Sequence, residues 1–326
     1  MSFKTIVSSI GHYLPEKCVS NNDLPKILDT TDEWIQNRTG IKQRHIASAH
    51  ETTSFMAAQA AKEALLRANV DAADVDTIVL ATTTPDHAFP ASATRVQALI
   101  GAVNAFAFDV QAVCSGFIYA LSVADNFIKA GQAKKVLLIG SESMSRFVDW
   151  TDRGTCVLFG DGAAALLLQA ADASHPSDVT GGVLSTHLYS NGADYDLLFI
   201  DNAIETDHKR GAVVMNGRQI FKNAVNKIGE AVEKALAANH LTIDDIDWFV
   251  PHQANQRIIQ GVIDLFKLPP EKVVVTVDRH ANTSAASIPL ALYEAVNDSR
   301  IQPGQRVLIE AMGGGLTWAS SIIVWS

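Results

Sequence analysis

The chain is short of cysteine, short of basic residues relative to acidic ones, and without a long apolar run. Cys18, Cys114 and Cys156 are the only cysteines in 326 residues. So small and odd a set excludes a disulfide framework and predicts a reducing compartment, the cytoplasm. No pair of them has metal-ligand spacing, so no metal is expected. Lys and Arg number 26 against 35 Asp and Glu, for a formal net charge of −9. That balance argues against nonspecific nucleic-acid binding, and an anionic substrate would need a local basic patch. No apolar stretch is long enough to span a bilayer. The opening residues Met1-Ser-Phe-Lys-Thr-Ile-Val7 enter a strand-like run and lack the apolar core of a signal peptide.

What is present is ample core material. Hydrophobic residues make up 48% of the chain, enough for one large domain or two ordinary ones. Residues 4–10 read as a strand, Asn21 to Leu28 as a short helix, and Thr30 to Gly40 as another with polar capping residues and a terminal glycine. Helices are expected at 53–68 and 92–99, and strands at 76–83, 105–110 and 135–140. Two strand-like pieces are expected around Gly160-Asp161-Gly162, and a polar surface loop over 171–178.

The second half echoes the first at a fixed distance. Ala64-Leu65 … Asp76-Thr-Ile-Val resembles Ala235-Leu236 … Asp247-Trp-Phe-Val, an offset of 235 − 64 = 171. Val136-Leu137 matches Val307-Leu308 at 307 − 136 = 171, and Ala120 and Ala124 fall on Ala291 and Ala295. A constant offset over helices and strands predicts two similar α/β halves, 1–170 and 171–326, packed into one body. In such folds chemistry gathers at the carboxyl ends of strands.

The candidates for chemistry sit at those ends. Phe108-Asp-Val-Gln-Ala-Val-Cys114-Ser-Gly-Phe places a cysteine on the turn that opens a helix. Amide N–H groups and the helix dipole there favour thiolate, and Gly116 leaves room beside the sulfur, so Cys114 is a candidate nucleophile. Taken alone, a buried inert cysteine is the commoner outcome. Three second-half loops change that weighing. Pro251-His252-Gln-Ala-Asn255 follows a strand that copies the one ending at Ala81-Thr82. His280-Ala-Asn282-Thr-Ser-Ala-Ala-Ser287 forms the second copy of the Cys114 turn, and Gly313-Gly314-Gly315 can offer backbone N–H groups at close range. Singly, these residues read as a scaffold histidine, a helix cap and a tight turn. Together at equivalent strand ends they read as one site.

These residues resemble the thiolase-like condensing enzymes, most closely the β-ketoacyl-acyl-carrier-protein synthase III family. The resemblance covers nearly the whole chain and rests on Asp32-Glu-Trp34-Ile…Arg38-Thr-Gly-Ile, His87-Ala-Phe89-Pro, Cys114-Ser-Gly-Phe, Thr151-Asp-Arg153-Gly-Thr, Pro-His252-Gln-Ala-Asn255, Asn282-Thr-Ser-Ala-Ala-Ser and the triple glycine. Elongating ketosynthases carry a second histidine where Asn282 stands. Biosynthetic thiolases carry a second cysteine near the C-terminus, and none follows Cys156.

The resemblance implies a thiolase-like α/β fold, two duplicated halves with central mixed sheets in a layered αβαβα body. It implies a homodimer with no cofactor, acyl-CoA (acetyl-CoA foremost) and malonyl-acyl carrier protein being substrates. Cys114, His252 and Asn282 would be catalytic, with Cys114 and Gly314 N–H groups as an oxyanion hole. Thr30, Trp34, Arg38 and Arg153 would hold the CoA head. Gly217, Phe221, Ala254, Asn255 and Ile258 would line the pantetheine channel. Phe89 would close the acyl pocket across the dimer, and Lys222 and Arg257 would meet the carrier protein. The chain departs from the family in having Asp264 where a lysine is frequent, which weakens the docking patch, and Val-Cys-Ser-Gly where Ala-Cys-Ala-Gly is common. A ketosynthase of secondary metabolism, with another primer or malonyl-CoA as extender, is the alternative. A non-catalytic subunit of the same fold would be expected to lack the cysteine.

Overall fold

The structure, a computed structural model, describes residues 3–24, 26–172, 181–200 and 211–326. The first half runs β1 (Phe3–Tyr13), β2 (Cys18–Ser20), α1 (Asp32–Thr39), β3 (Gln43–His45), α2 (Thr53–Ala68), β4 (Thr77–Ala81), α3 (Ser92–Ile100), β5 (Phe106–Val110), α4 (Gly116–Lys129), β6 (Lys135–Ser143) and β7 (Asp161–Asp172). The second runs β8 (Gly182–Ser190), β9 (Leu198–Ile200), β10 (Val213–Met215), α5 (Gly217–Ala238), β11 (Trp248–Pro251), α6 (Gln256–Phe266), α7 (Val277–His280), α8 (Ser287–Asn297), β12 (Arg306–Gly313) and β13 (Thr317–Val324).

Two mixed sheets share one topology. The first has the order β1-β7-β6-β4-β5 and the second β8-β13-β12-β11. β4 is parallel to both β5 and β6, and β11 is parallel to β12, while the remaining pairs in both sheets are antiparallel. The second-half counterpart of β5 is reduced to a parallel bridge between Phe249 and Val273.

Strand periodicity explains why so many strands read as unbroken apolar runs. Alternate residues of β4 enter different cores: Val79 and Ala81 face α4 and α8, and Ile78 and Leu80 face α2 and α3. In β12, Val307, Ile309 and Ala311 join that same central core, while Leu308 and Met312 pack with α5 and α6. Helices α4 and α8 therefore lie between the sheets, with α2 and α3 outside one and α5 and α6 outside the other. This is a layered αβαβα body.

Three local expectations change. Asn21 to Leu28 forms two 3-10 turns, Asn21–Asp23 and Lys26–Leu28, in place of one helix. The first is capped by Ser20, whose N–H and hydroxyl both donate to Asp23 Oδ2. Residues 156–158 form turns and Phe159 makes an isolated bridge to Asn282 in place of a first strand piece, and the chain joins the sheet only at Asp161. Residues 171 and 172 extend β7, and the rest of the expected polar loop, 173–178, lies outside the described residues.

Candidate active site

Beyond β5 the chain turns sharply. Val113 adopts φ 49°, and a 3-10 turn, Val113–Ser115, leads directly into α4. Cys114 occupies that turn at 4% exposure. The end of β12 presses against it from the other half. A Cβ on Gly313 would lie 2.7 Å from the Cys114 nitrogen and 3.2 Å from the Ala112 carbonyl oxygen, so only glycine fits there. Burial pushes the Cys114 thiol up to about 12, and the buried charge of Glu142 acts in the same direction. Desolvation thus opposes the preference for thiolate expected from the turn's dipole, while hydrogen bonds from the Ser284 hydroxyl and from the N–H of Cys114 itself act with that preference.

His252 follows β11 at 5% exposure. Its N–H donates to the Glu310 carbonyl at 2.8 Å, and its Nδ1 lies 2.6 Å from Ser287 Oγ. Burial lowers its pKa to about 3, so the ring is neutral. Gln253 braces the loop: its amide nitrogen donates to the Pro251 and Val274 carbonyls, and its Oε1 accepts the Thr276 and Val277 N–H groups. Asn282 is held at both backbone ends. Its N–H donates to the Leu158 carbonyl at 2.9 Å and its carbonyl accepts the Gly160 N–H at 3.0 Å. Its Oδ1 accepts the Ser284 N–H at 2.8 Å, which leaves the amide NH2 for the cavity.

Cys114, His252, Asn282 and Gly314 line one cavity of about 900 Å³. Gly217, Phe221, Ala254, Asn255 and Ile258 line the same cavity. A second, smaller one of about 380 Å³ is lined by Arg38, Gly217, Arg218, Phe221, Asn255 and Arg257, so basic groups gather beside the shared lining residues. Trp34 lines neither cavity but is linked to the smaller one through Arg38: the Arg38 and Arg153 guanidinium carbons lie 4.6 and 5.3 Å from its ring centroid. Arg153 Nη1 also donates to the Asp29 carbonyl at 2.5 Å. The Thr30 hydroxyl, shortly before α1, is buried without a partner among the described residues. Lys222 is exposed on α5 and lines neither cavity, and Phe89 is 85% exposed and lies outside both.

Several residues at the site escaped sequence reasoning. Ser287 and Gln253 lie within the motifs around Asn282 and His252, but their contacts with His252 and with the Val274–Val277 backbone are not legible there. Arg218 adds a third guanidinium to the smaller cavity. Glu310 lines the main cavity at 2% exposure, and its Oε2 has no partner among the described residues. Burial raises it to about 8, so it is mostly uncharged at neutral pH. A carboxylate inside the apolar run Val307-Leu-Ile-Glu310-Ala-Met was the available signal. Among the described residues no group of three His, Cys, Asp or Glu could hold a metal ion, and no helix is long and apolar enough to cross a membrane.

Comparison with known proteins agrees over the whole length. The family described as 3-oxoacyl-[acyl-carrier-protein (ACP)] synthase III matches residues 108–192, and its C-terminal counterpart matches residues 236–325. The β-ketoacyl-[acyl-carrier-protein] synthase III of Granulibacter bethesdensis is 58% identical, covering 98% of this chain and 99% of that protein. That of Rhodospirillum centenum is 55% identical over 100% of both. The crystal structure of 3-oxoacyl-[acyl-carrier-protein] synthase III from Aquifex aeolicus superposes with a TM-score of 0.92 at 45% identity, covering 98% of this chain and 100% of that one. The fold is thiolase-like, and the chain belongs to the β-ketoacyl-acyl-carrier-protein synthase III family of condensing enzymes.

Proposed function

We propose that the chain catalyses decarboxylative condensation of an acyl-CoA primer, acetyl-CoA foremost, with malonyl-acyl carrier protein. The product is a 3-ketoacyl-acyl carrier protein, the first intermediate of fatty-acid synthesis. The observation that carries this reading is one cavity lined by a cysteine from the first half and by two neutral hydrogen-bond donors from the second.

The Cys114 sulfur attacks the acyl thioester, CoA leaves, and the thiol proton ends on the CoA sulfur. N–H groups of Cys114 and Gly314 are the donors for the tetrahedral oxyanion. As an early N–H of a 3-10 turn, that of Cys114 has no partner within its own helix. Malonyl thioester then loses CO2, and the enolate carbon attacks the acyl-cysteine and displaces its sulfur. Negative charge gathers on the thioester oxygen during decarboxylation, where His252 Nε2–H and the Asn282 amide donate. A neutral imidazole and a neutral amide suit this role, because neither repels the enolate. A buried Glu310 kept protonated is also compatible with a carboxylate substrate.

Trp34, Arg38, Arg153 and Thr30 are assigned to the CoA head, and Gly217, Phe221, Ala254, Asn255 and Ile258 to its pantetheine arm. Arg257 and Lys222 are assigned to the carrier protein. Phe89 is assigned to the acyl pocket of a second protomer: its 85% exposure, together with the edge strand β5 and a half-exposed Phe106, favours a homodimer. The division at 170/171 and a cytoplasmic site of action complete the reading.

Intact mass spectrometry after mixing with acetyl-CoA tests it. An added acetyl group is expected on the native chain and absent from Cys114→Ala. No adduct with any acyl-CoA would defeat the proposal. Turnover with malonyl-CoA in place of malonyl-acyl carrier protein separates the secondary-metabolite alternative.

A further inference from the structure

We infer that Ser287 is a positioning residue that fixes His252 as the Nε2–H tautomer. This rests on the condensing reading, which needs that hydrogen to face the enolate. A neutral imidazole carries one N–H, and whichever nitrogen accepts a hydrogen bond leaves the other as donor. Ser287 is 2% exposed, with its Oγ 2.6 Å from His252 Nδ1. The same Oγ accepts the Gln253 N–H at 3.4 Å. Among the described hydrogen bonds, His252 Nδ1 is the one acceptor for the Ser287 hydroxyl hydrogen, and we assign Ser287 as donor and Nδ1 as acceptor on that ground. Nε2 is then the protonated nitrogen.

The duplicated halves give an independent argument. At the 171 offset, His252 falls on Ala81 (252 − 171), Ser287 on Gly116 (287 − 171) and Ala285 on Cys114 (285 − 171). The geometry repeats with the numbering. A Cβ placed on Gly116 would meet Ala81 Cβ at 3.6 Å, and in the second half the same pair of positions carries the His252–Ser287 contact. In the first half this position is stripped to glycine next to the nucleophile. In the second it carries a hydroxyl next to the histidine.

The test uses Ser287→Ala and Ser287→Gly, the latter restoring the residue found at the equivalent first-half position. In the native enzyme, 15N NMR of the histidine rings should show His252 with Nε2 protonated and Nδ1 as acceptor. In both variants that signature should shift toward a mixture of tautomers. Acyl-Cys114 formation should be unchanged, while decarboxylation of the malonyl thioester slows by about tenfold. Ser287→Thr, which keeps the hydroxyl, should restore the native spectrum. A native His252 protonated at Nδ1, or an unchanged decarboxylation rate in both variants, would overturn the inference. Equal loss of acylation and decarboxylation would also overturn it, since that marks a structural role. Absence of any acyl adduct on the native enzyme would sink the condensing reading instead, and the ring spectrum would still decide the tautomer.

Discussion

The two strand-to-helix turns at the centre of the molecule are copies with opposite chemistry. In the first half, the turn before α4 carries Cys114, with glycine two residues later and alanine at the end of the adjoining strand. In the second, the turn before α8 carries Ala285, with Ser287 and His252 at those positions, and Asn282 reaches in from three residues earlier. On the proposed reading, one copy is cleared of side chains for a thioester to approach a sulfur, and the other is furnished with donors for charge to gather on an oxygen. On that reading, the two turns share one scaffold and differ in chemistry through a handful of residues at matched places.

The largest effect should come from removing the second copy's donors. His252→Ala and Asn282→Ala should each keep acyl-Cys114 formation, read by mass spectrometry. Each should cost about 3 kcal/mol of the decarboxylation barrier, a loss of about 100-fold or more in 14CO2 release. Loss of acylation in both would move these residues to the first copy's chemistry and dissolve the comparison. Asn282→Asp should be worse than Asn282→Ala, because a carboxylate repels the enolate it faces.

The first copy can be probed by pH. Burial holds the Cys114 thiol at about 12, so thiolate is scarce at neutral pH and grows about tenfold per unit as pH rises toward that value. Iodoacetamide should therefore label Cys114 slowly, with a rate that still climbs steeply between pH 7 and 9, while exposed Cys18 serves as an internal reference. A rate for Cys114 that levels off below pH 8 would show that the helix dipole prevails over desolvation.

Where the halves touch, the effect should be smaller and structural. Gly313→Ala puts a methyl group 2.7 Å from the Cys114 nitrogen, with backbone on both sides and no flexible side chain to yield. The expected cost is about 1–3 kcal/mol of stability, seen as a lowered Tm, with slower acylation as the turn shifts. An unchanged Tm together with native acylation would mean that this contact does not set the nucleophile's position.

The sequence carried the element pattern well where periodicity was strong. Residues 53–68 form α2 as expected, and the 171 offset anticipated matched sheets. It misread residues 156–160, because Phe159 is held by a single bridge to Asn282 on the other half, a contact with no local signature. The same limit hid Ser287, Gln253 and Arg218: each matters through a partner distant in sequence or by opening onto a shared cavity. The desolvation of Cys114 was also beyond reach. A turn's dipole can be read from a motif, but the depth of burial that opposes it belongs to the packed body.

The smallest expected effect lies farthest from the matched turns, on the wall built by α1. Arg153 and Arg38 both lie over the Trp34 ring, and Arg153 is exposed and anchored to the Asp29 carbonyl. A guanidinium stacked on the adenine of CoA at an exposed site is worth about 0.5–1 kcal/mol, with a phosphate contact adding a comparable amount. Arg153→Ala should therefore raise KM for the CoA primer about 5- to 30-fold and leave kcat within about twofold, since uniform binding is lost and not transition-state binding. Steady-state kinetics with acetyl-CoA varied at saturating malonyl-acyl carrier protein reads both constants. A fall in kcat at constant KM would tie α1 to the chemistry of the central turns and end the separation between the wall that binds and the copies that react.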